Sequence, residues 1–382
     1  MRKETFLTFA SRLFKQYRHY RSDAFPVRRF TPGKLHRVID ALANDSRGLI
    51  VIREVGKSFQ GRPLRLVTVG NGKTSVLLWS QMHGDESTAT MAILDVLSYF
   101  SKAKDAPPAR RILSSLTLHF LPMLNPDGAA CFQRRTAQGI DMNRDALALR
   151  TPEARILKSL QRKLRPHFGL NLHDQELSTV ANSKQLTALG LLAPAFDAKR
   201  SDNPVRKQAK YLAASLVAAM HCVGQRRLAK YDDTFDPRAF GENMQKCGTS
   251  TVLIESGHTI NDPEKHSVRR LNAVGILAGL YALATEQYKH ANVSLYENLP
   301  FNGKKAYDLI IRNILVQHGK NKTTLADLGI SYQVDTHTES TPVLVDLGDL
   351  RSFIGLREID GKRARLPGIK LILGKPFSFK RW

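Results

Sequence analysis

The chain has 382 residues, 42% hydrophobic and 24% charged, which allows a large core and excludes a disordered polyelectrolyte. No apolar run reaches the roughly 18 residues of a membrane-spanning helix, and three widely spaced cysteines, Cys131, Cys222 and Cys247, fit neither a disulfide framework nor a cysteine zinc site, which suits a reducing, cytoplasmic setting. The net charge of +24 comes with no Lys/Arg block long enough for a specific nucleic-acid motif, so it reads as a solvated basic surface that leaves room for an acidic partner.

The excess charge is partly terminal: residues 1–30 carry eight Lys/Arg against two acids, and residues 361–382 seven against none. In "MRKETFLTFASRLFKQYRHY" the apolar residues Phe6, Phe9, Leu13 and Tyr17 recur at helical spacing. Charges interrupt them, so the segment lacks the apolar stretch of a secretory signal. It reads as an amphipathic helix packed on the body, with a transit peptide or a membrane-surface helix as the alternative. "FTPGKLHRVIDALA" predicts a helix capped by Thr31 with Pro32 in its first turn. Three short apolar runs between Leu49 and Met82 follow, separated by Gly and charge, and read as strands.

"TATMAILDVLSYFSKA" predicts a helix, "SSLTLHFLPML" a strand closed by an Asn-Pro-Asp-Gly turn, and "PEARILKSLQRKL" a helix. "HFGLNLHD" predicts a strand, "PVRKQAKYLAASLVAAMHCV" a long helix, "TSTVLIESGH" a strand and "HSVRRLNAVGILAGLYALATEQY" a last long helix. This alternation predicts an α/β fold: a mostly parallel or mixed central sheet with helices on both faces. Beyond about residue 292 the pattern changes. "AYDLIIRNILVQHG" reads as a helix, and "TLADLGISYQV", "TPVLVDLGDL", "REIDG" and "IKLILG" as strands of a small β-rich domain. The expected organisation is a basic helical extension over 1–30, a catalytic domain over 31–291 and the β-rich domain over 292–382.

Four apolar strands run into polar residues at their C-terminal ends: His83 and Glu86, Asn125 with the loop to Arg134, His173, and Glu255. Open α/β sheets bind ligands outside the carboxyl ends of their strands, so the four ends predict one site. Two histidines and a glutamate form a known catalytic zinc set. His83 and Glu86 lie three apart across a glycine-containing turn, with Gly84 expected to let the chain turn and Asp85 to point away. His173, at a third strand end, completes the set.

The ordered segments "HGDE", "NPDG", "RRTAQGIDMNRD", "LNLHD" and "VLIESG" resemble the zinc carboxypeptidase family, the carboxypeptidase A-like metallopeptidases. "EVGKSFQGRPL" is similar to the segment that precedes the first zinc ligand there. The resemblance implies one zinc ion per chain on His83, Glu86 and His173, and Glu255 as the general base. It implies Arg134, favoured over Arg135 by its spacing, as the oxyanion-stabilising cation. It implies Asn143 and Arg144 as a clamp on a substrate's terminal carboxylate, and Asp141 as a partner of a ligating histidine. Tyr231 is the best match to a mobile tyrosine over the substrate, an ordinary loop tyrosine being the alternative. Thr136 stands where the family often has asparagine, which bears on the geometry of carboxylate recognition and not on the metal.

Glu242 either lines the specificity pocket, favouring a basic terminal group, or is an exposed loop acid. The implied activity is hydrolysis of the C-terminal bond of peptides or peptide-like substrates with a free carboxylate. The alternatives are an amidase on cell-wall peptides or N-acyl amino acids, and a non-catalytic peptide-binding relative.

Overall fold

The computed structural model describes residues 4–318, 322–334, 340–366 and 371–376. They fall into two compact units: Met1–Gln175 with Ala188–Phe301, and Glu176–Thr187 with Asn302–Trp382.

The first unit begins with helices α1 (Phe6–Lys15) and α2 (Tyr17–Tyr20), then α3 (Pro32–Asp45). Thr31 caps α3 through its side chain, which accepts from the Lys34 amide. Strands β1 (Val51–Lys57), β2 (Pro63–Val69) and β3 (Thr74–Ser80) lead to α4 (Thr88–Ala103), α5 (Pro107–Ser115) and β4 (Leu116–Leu121). Next come α6 (Pro126–Cys131), α7 (Pro152–Leu164) and β5 (Phe168–Asp174). After a short strand β6 (Ser178–Val180), which belongs to the second unit, follow β7 (Leu189–Leu192), α8 (Pro204–Cys222), β8 (Leu228–Lys230), α9 (Phe240–Lys246), β9 (Ser250–Ser256), α10 (His266–Ala284) and α11 (Ser294–Glu297).

Eight strands form one mixed sheet in the order β1-β2-β4-β3-β5-β9-β7-β8. The four central strands are parallel, β3 pairing with both β4 and β5, and β5 with β9. β1, β2 and β7 join antiparallel. The chain therefore leaves β3 to one side for β4 and returns to its other side for β5, which puts a topological switch point at the C-terminal end of β3. One apolar cluster contains α1, α4, α8 and α10 residues packed against the sheet; a second lies around Trp79, Leu157 and Phe240. Both faces are covered, which explains why β5 is buried along its whole length. Among the described residues no helix is long and apolar enough to cross a membrane.

The N-terminal apolar residues Phe6, Phe9, Leu13 and Tyr17 are buried as their spacing predicts. A wholly buried ion pair ties this end down. Arg269 of α10 donates to both carboxylate oxygens of Asp95 on α4, at 2.6 and 2.8 Å. Tyr17 Oη and the Ser22 amide donate to the same carboxylate at 2.6 and 2.8 Å. Removing one member leaves the other buried and uncompensated, so Asp95→Ala should lower unfolding free energy by about 3–5 kcal/mol. Urea denaturation would measure it; a change under about 1 kcal/mol would contradict the argument.

Two expectations are corrected. The Asn-Pro-Asp-Gly stretch is the start of α6 and not simply a turn. Asn125 caps it, accepting from the Gly128 amide at 2.9 Å, with Pro126 in the first turn. The predicted helix "AYDLIIRNILVQHG" is strand β11, Tyr307–His318, in the second unit, where β10 (Asn302–Lys305) pairs with β6. Leu309, Ile311, Ile314 and Val316 share one apolar cluster because the register shifts between Ile311 and Ile314. That bulge turns an alternation of two into a spacing of three, which imitates a helix. The β-branched residues Ile310, Ile311, Ile314 and Val316 are the countersign.

β11 pairs with β12 (Lys322–Val334), which pairs with β13 (Ser340–Gly348); β14 (Gly355–Asp360) and β15 (Arg365–Leu366) flank β11 in parallel. Of the predicted strand "IKLILG", Ile369 and Lys370 lie outside the described residues, and Leu371–Gly374 form no strand.

Candidate metal centre

His83 and Glu86 sit just past β3, His173 near the end of β5, and Glu255 near the end of β9. Parallel register places His173 and Glu255 side by side across β5 and β9. His83, Glu86 and His173 are buried, and their ligand atoms lie within 4.8 Å of one another. Glu86 is central: its Oε1 is 2.6 Å from His83 Nδ1 and its Oε2 is 2.7 Å from His173 Nδ1. Two imidazole nitrogens and a carboxylate turned to one point are a donor set that fits zinc.

Gly84 is required for a different reason from the one expected. A Cβ there would lie 2.1 Å from the Gly128 carbonyl carbon and 2.3 Å from the Ala129 nitrogen, so the loop needs glycine to lie against α6. The left-handed residue at the strand exit is Gln81, with φ of 52°. Asp85 is held by its backbone carbonyl, which accepts from Arg28 at 3.2 Å; among the described residues its buried Oδ1 has no hydrogen-bond partner.

Asp141 lies 3.0 Å from His83 Nε2 and so orients the ring from the side opposite Glu86. Arg134 spans both acids, donating to Glu86 Oε1 and Asp141 Oδ2 at 3.1 Å each. Arg135 instead donates to the Gly139 carbonyl at the surface. Burial opposes a charge on His83, but Glu86 and Asp141 push it up to about 9. Glu86 is held far below the usual carboxylate range: burial opposes this, but His173 and His83 outweigh it. Burial lowers His173 despite Glu86.

Among the described residues, Glu255 Oε2 is buried with no hydrogen-bond partner. Burial, then the Glu86 charge, push this carboxyl up to about 8. A carboxylate that is poorly solvated and beside the candidate metal ligand His173 is suited to take and return a proton.

Asn143 and Arg144 lie in a 3₁₀ turn, Met142–Arg144. Asn143 Oδ1 accepts from the Phe240 amide at 3.0 Å, and Arg144 Nε reaches Asp236 at 3.2 Å. Tyr231 follows β8; its ring lies against Gly190, the residue paired with Glu255 in β7, and its hydroxyl is 3.0 Å from Gln175 Oε1.

Glu242 is buried in α9, not an exposed loop acid. Burial pushes it up to about 7, with Asp236 adding to the rise and Arg144 opposing it. The folded state thus binds this proton more tightly than the unfolded chain, whose value is near 4.5. Stability from this group falls as pH rises from about 4.5 to about 7 and is level above that. Glu242→Gln should therefore raise unfolding free energy at pH 8 by on the order of 1–3 kcal/mol, with the gain fading towards pH 4.5. Equal gains at both pH values would show another cause.

Sequence reading missed a supporting layer under Glu86. The Asp174 amide donates to Glu86 Oε2 at 3.2 Å. Its own carboxylate accepts from Thr88 Oγ1 at 2.5 Å and pairs with buried Lys265 at 3.3 Å. The Asp directly after His173 was the only available sign; Lys265, in a polar loop, carried none.

Residues 35–175 match the family model described as zinc carboxypeptidase. Carboxypeptidase SOL1 of Arabidopsis thaliana is 29% identical over 145 residues, 34% of this chain and 29% of that protein. Carboxypeptidase 2 of Trichophyton rubrum is 33% identical over 102 residues, 27% of this chain and 19% of that protein. The chain thus spans less than a third of the length of these relatives.

Among solved structures, the metallo-carboxypeptidase from Burkholderia cenocepacia aligns with a TM-score of 0.54 at 17% identity, over 68% of this chain and 70% of that one. Bovine thrombin-activatable fibrinolysis inhibitor, in complex with tick carboxypeptidase inhibitor, aligns with a TM-score of 0.56 at 13% identity, over 70% of this chain and 99% of that one. These likenesses show the fold of the first unit as carboxypeptidase A-like. Over residues 35–175 the chain is thus similar to the zinc carboxypeptidase family, and the first unit shares the fold of the solved carboxypeptidases.

Proposed function

We propose that the first unit is a zinc metallocarboxypeptidase that hydrolyses the C-terminal amide bond of peptide substrates, with the β-rich unit as an accessory domain. The convergence of His83, Glu86 and His173, with Glu255 beside His173, carries the reading. Zinc, when bound by these three residues, supplies Lewis-acid chemistry: it polarises a carbonyl and acidifies water.

Glu255 takes the proton of the attacking water at its enclosed carboxylate and passes it to the leaving amine. Arg134, half-exposed above Glu86 and Asp141, directs its guanidinium at the oxygen where negative charge develops. Asp141 holds the His83 ring in its ligating orientation. Arg144 and the Asn143 amide receive the terminal carboxylate, since a guanidinium fork matches a carboxylate. Tyr231, beside the Glu255–Gly190 pair, closes over the bound residue.

The test is mass spectrometry of a mixed peptide pool incubated with the zinc-loaded chain and, in parallel, with Glu255→Gln. The expected result is stepwise loss of C-terminal residues by the wild type alone. Internal cleavage, or no cleavage with zinc bound, would overturn the reading.

A further inference from the structure

The proposed clamp already holds a carboxylate. Arg144 Nε is 3.2 Å from Asp236 Oδ2, and its Nη1 donates to the Asn143 carbonyl at 2.9 Å. Asp236 is shared. Arg238 donates to Asp236 Oδ2 from Nη2 at 2.9 Å, and to Oδ1 from Nε and from its backbone amide at 3.0 Å each. These Arg238 bonds, helped by the Arg144 charge, hold the Asp236 carboxyl below the usual range, so it is an anion at neutral pH.

The segment is fixed against the clamp. The Ala146 amide donates to the Arg238 carbonyl at 3.0 Å, and the Phe240 amide to Asn143 Oδ1 at 3.0 Å. The second bond turns the acceptor end of the Asn143 amide away and leaves Nδ2 as the end that can meet an anion.

We propose that Asp236 is an internal competitor for Arg144, a residue that sets the affinity and stringency of terminal-carboxylate binding. It acts through Arg144, and the inference rests on the reading of Arg144 as the clamp. An arriving carboxylate must replace Asp236 on the guanidinium. Arg238 keeps three bonds to Asp236 after that exchange, so the displaced anion is not stranded. The exchange therefore costs little for a ligand that engages Arg144 in a fork. It disfavours a weaker anion that cannot, because Asp236 keeps repelling negative charge at the site.

The experiment uses the zinc-loaded full chain in a Glu255→Gln background, where ligands bind without turnover. The probes are benzoylglycyl-phenylalanine and benzoylglycyl-lysine, each as free acid and as C-terminal amide, with affinities measured by calorimetry. Adding Asp236→Asn retains the acceptor that caps the segment and removes the charge. It should tighten the free acids about two- to fivefold, as expected for loss of a half-exposed ion pair, and leave the amides unchanged. A role in merely orienting Arg144 would weaken the acids instead, and unchanged affinity would equally overturn the inference. Adding Arg144→Met tests the underlying reading. If no preference for acid over amide exists, or if it survives Arg144→Met, the clamp assignment itself fails. If the preference is lost with Arg144 but Asp236→Asn does not tighten the acids, only the competitor role fails.

Discussion

Glu255→Gln should leave metal content unchanged and lower kcat by about 10²–10⁴-fold, the usual contribution of a positioned general base. The two properties separate because Glu255 is not one of the three converging ligand residues, although it is the register neighbour of His173. Glutamine is nearly isosteric, so the enclosed position beside β5 and β7 is retained. It replaces a group whose ionised form burial and Glu86 make costly, so the variant should be at least as stable as the wild type. A folded, metal-loaded variant with low turnover would thus lack proton transfer alone. Turnover within about tenfold of the wild type would remove Glu255 from the mechanism. Metal analysis beside single-turnover kinetics on a cleaved peptide checks both halves.

Much of this architecture was readable from the chain because the responsible signals are local. The helices α4 and α7 begin and end where their apolar periodicity and prolines place them. β3, β5 and β9 are largely apolar, largely buried runs; His83 follows the end of β3, and His173 and Glu255 are the next-to-last residues of β5 and β9. The three-residue strands β6 and β8 are too short for any period to register. In β11 the bulge near Asn313, which has φ of 56°, disguised a strand as a helix.

The site divides in the same way. Residue types and order pointed to the candidate ligands His83, Glu86 and His173, which the fold brings together, but not to what holds them. Lys265 reaches Asp174 across 91 positions, and Arg144 meets Asp236 from a different loop. Such pairings depend on which elements the fold brings together, and no spacing along the chain records them. Gly84 is the intermediate case: glycine was noticeable at once, but its reason, the close approach of α6, is tertiary.

His173→Ala should have the opposite signature to Glu255→Gln, losing metal and turnover together. Removing Asp141, which orients His83 without being one of the three converging ligand residues, should weaken metal binding by about 10–100-fold, the usual range for an outer partner. Removing His173 takes away a donor itself and should exceed that range. The geometry gives the reason. Each oxygen of Glu86 is within 2.7 Å of one histidine Nδ1, so the carboxylate is positioned from both sides. Without His173, Glu86 Oε2 keeps, among the described residues, the Asp174 amide at 3.2 Å, and the carboxylate can turn towards Arg134 and His83. The remaining donors are then two, on a single loop, and they no longer converge from separate strands. Zinc titration against a chelating indicator, for wild type, Asp141→Asn and His173→Ala, should rank the affinities in that order. Wild-type affinity in His173→Ala would mean that the metal sits elsewhere, and the catalytic roles given to Glu255 and Arg134 would fall with it.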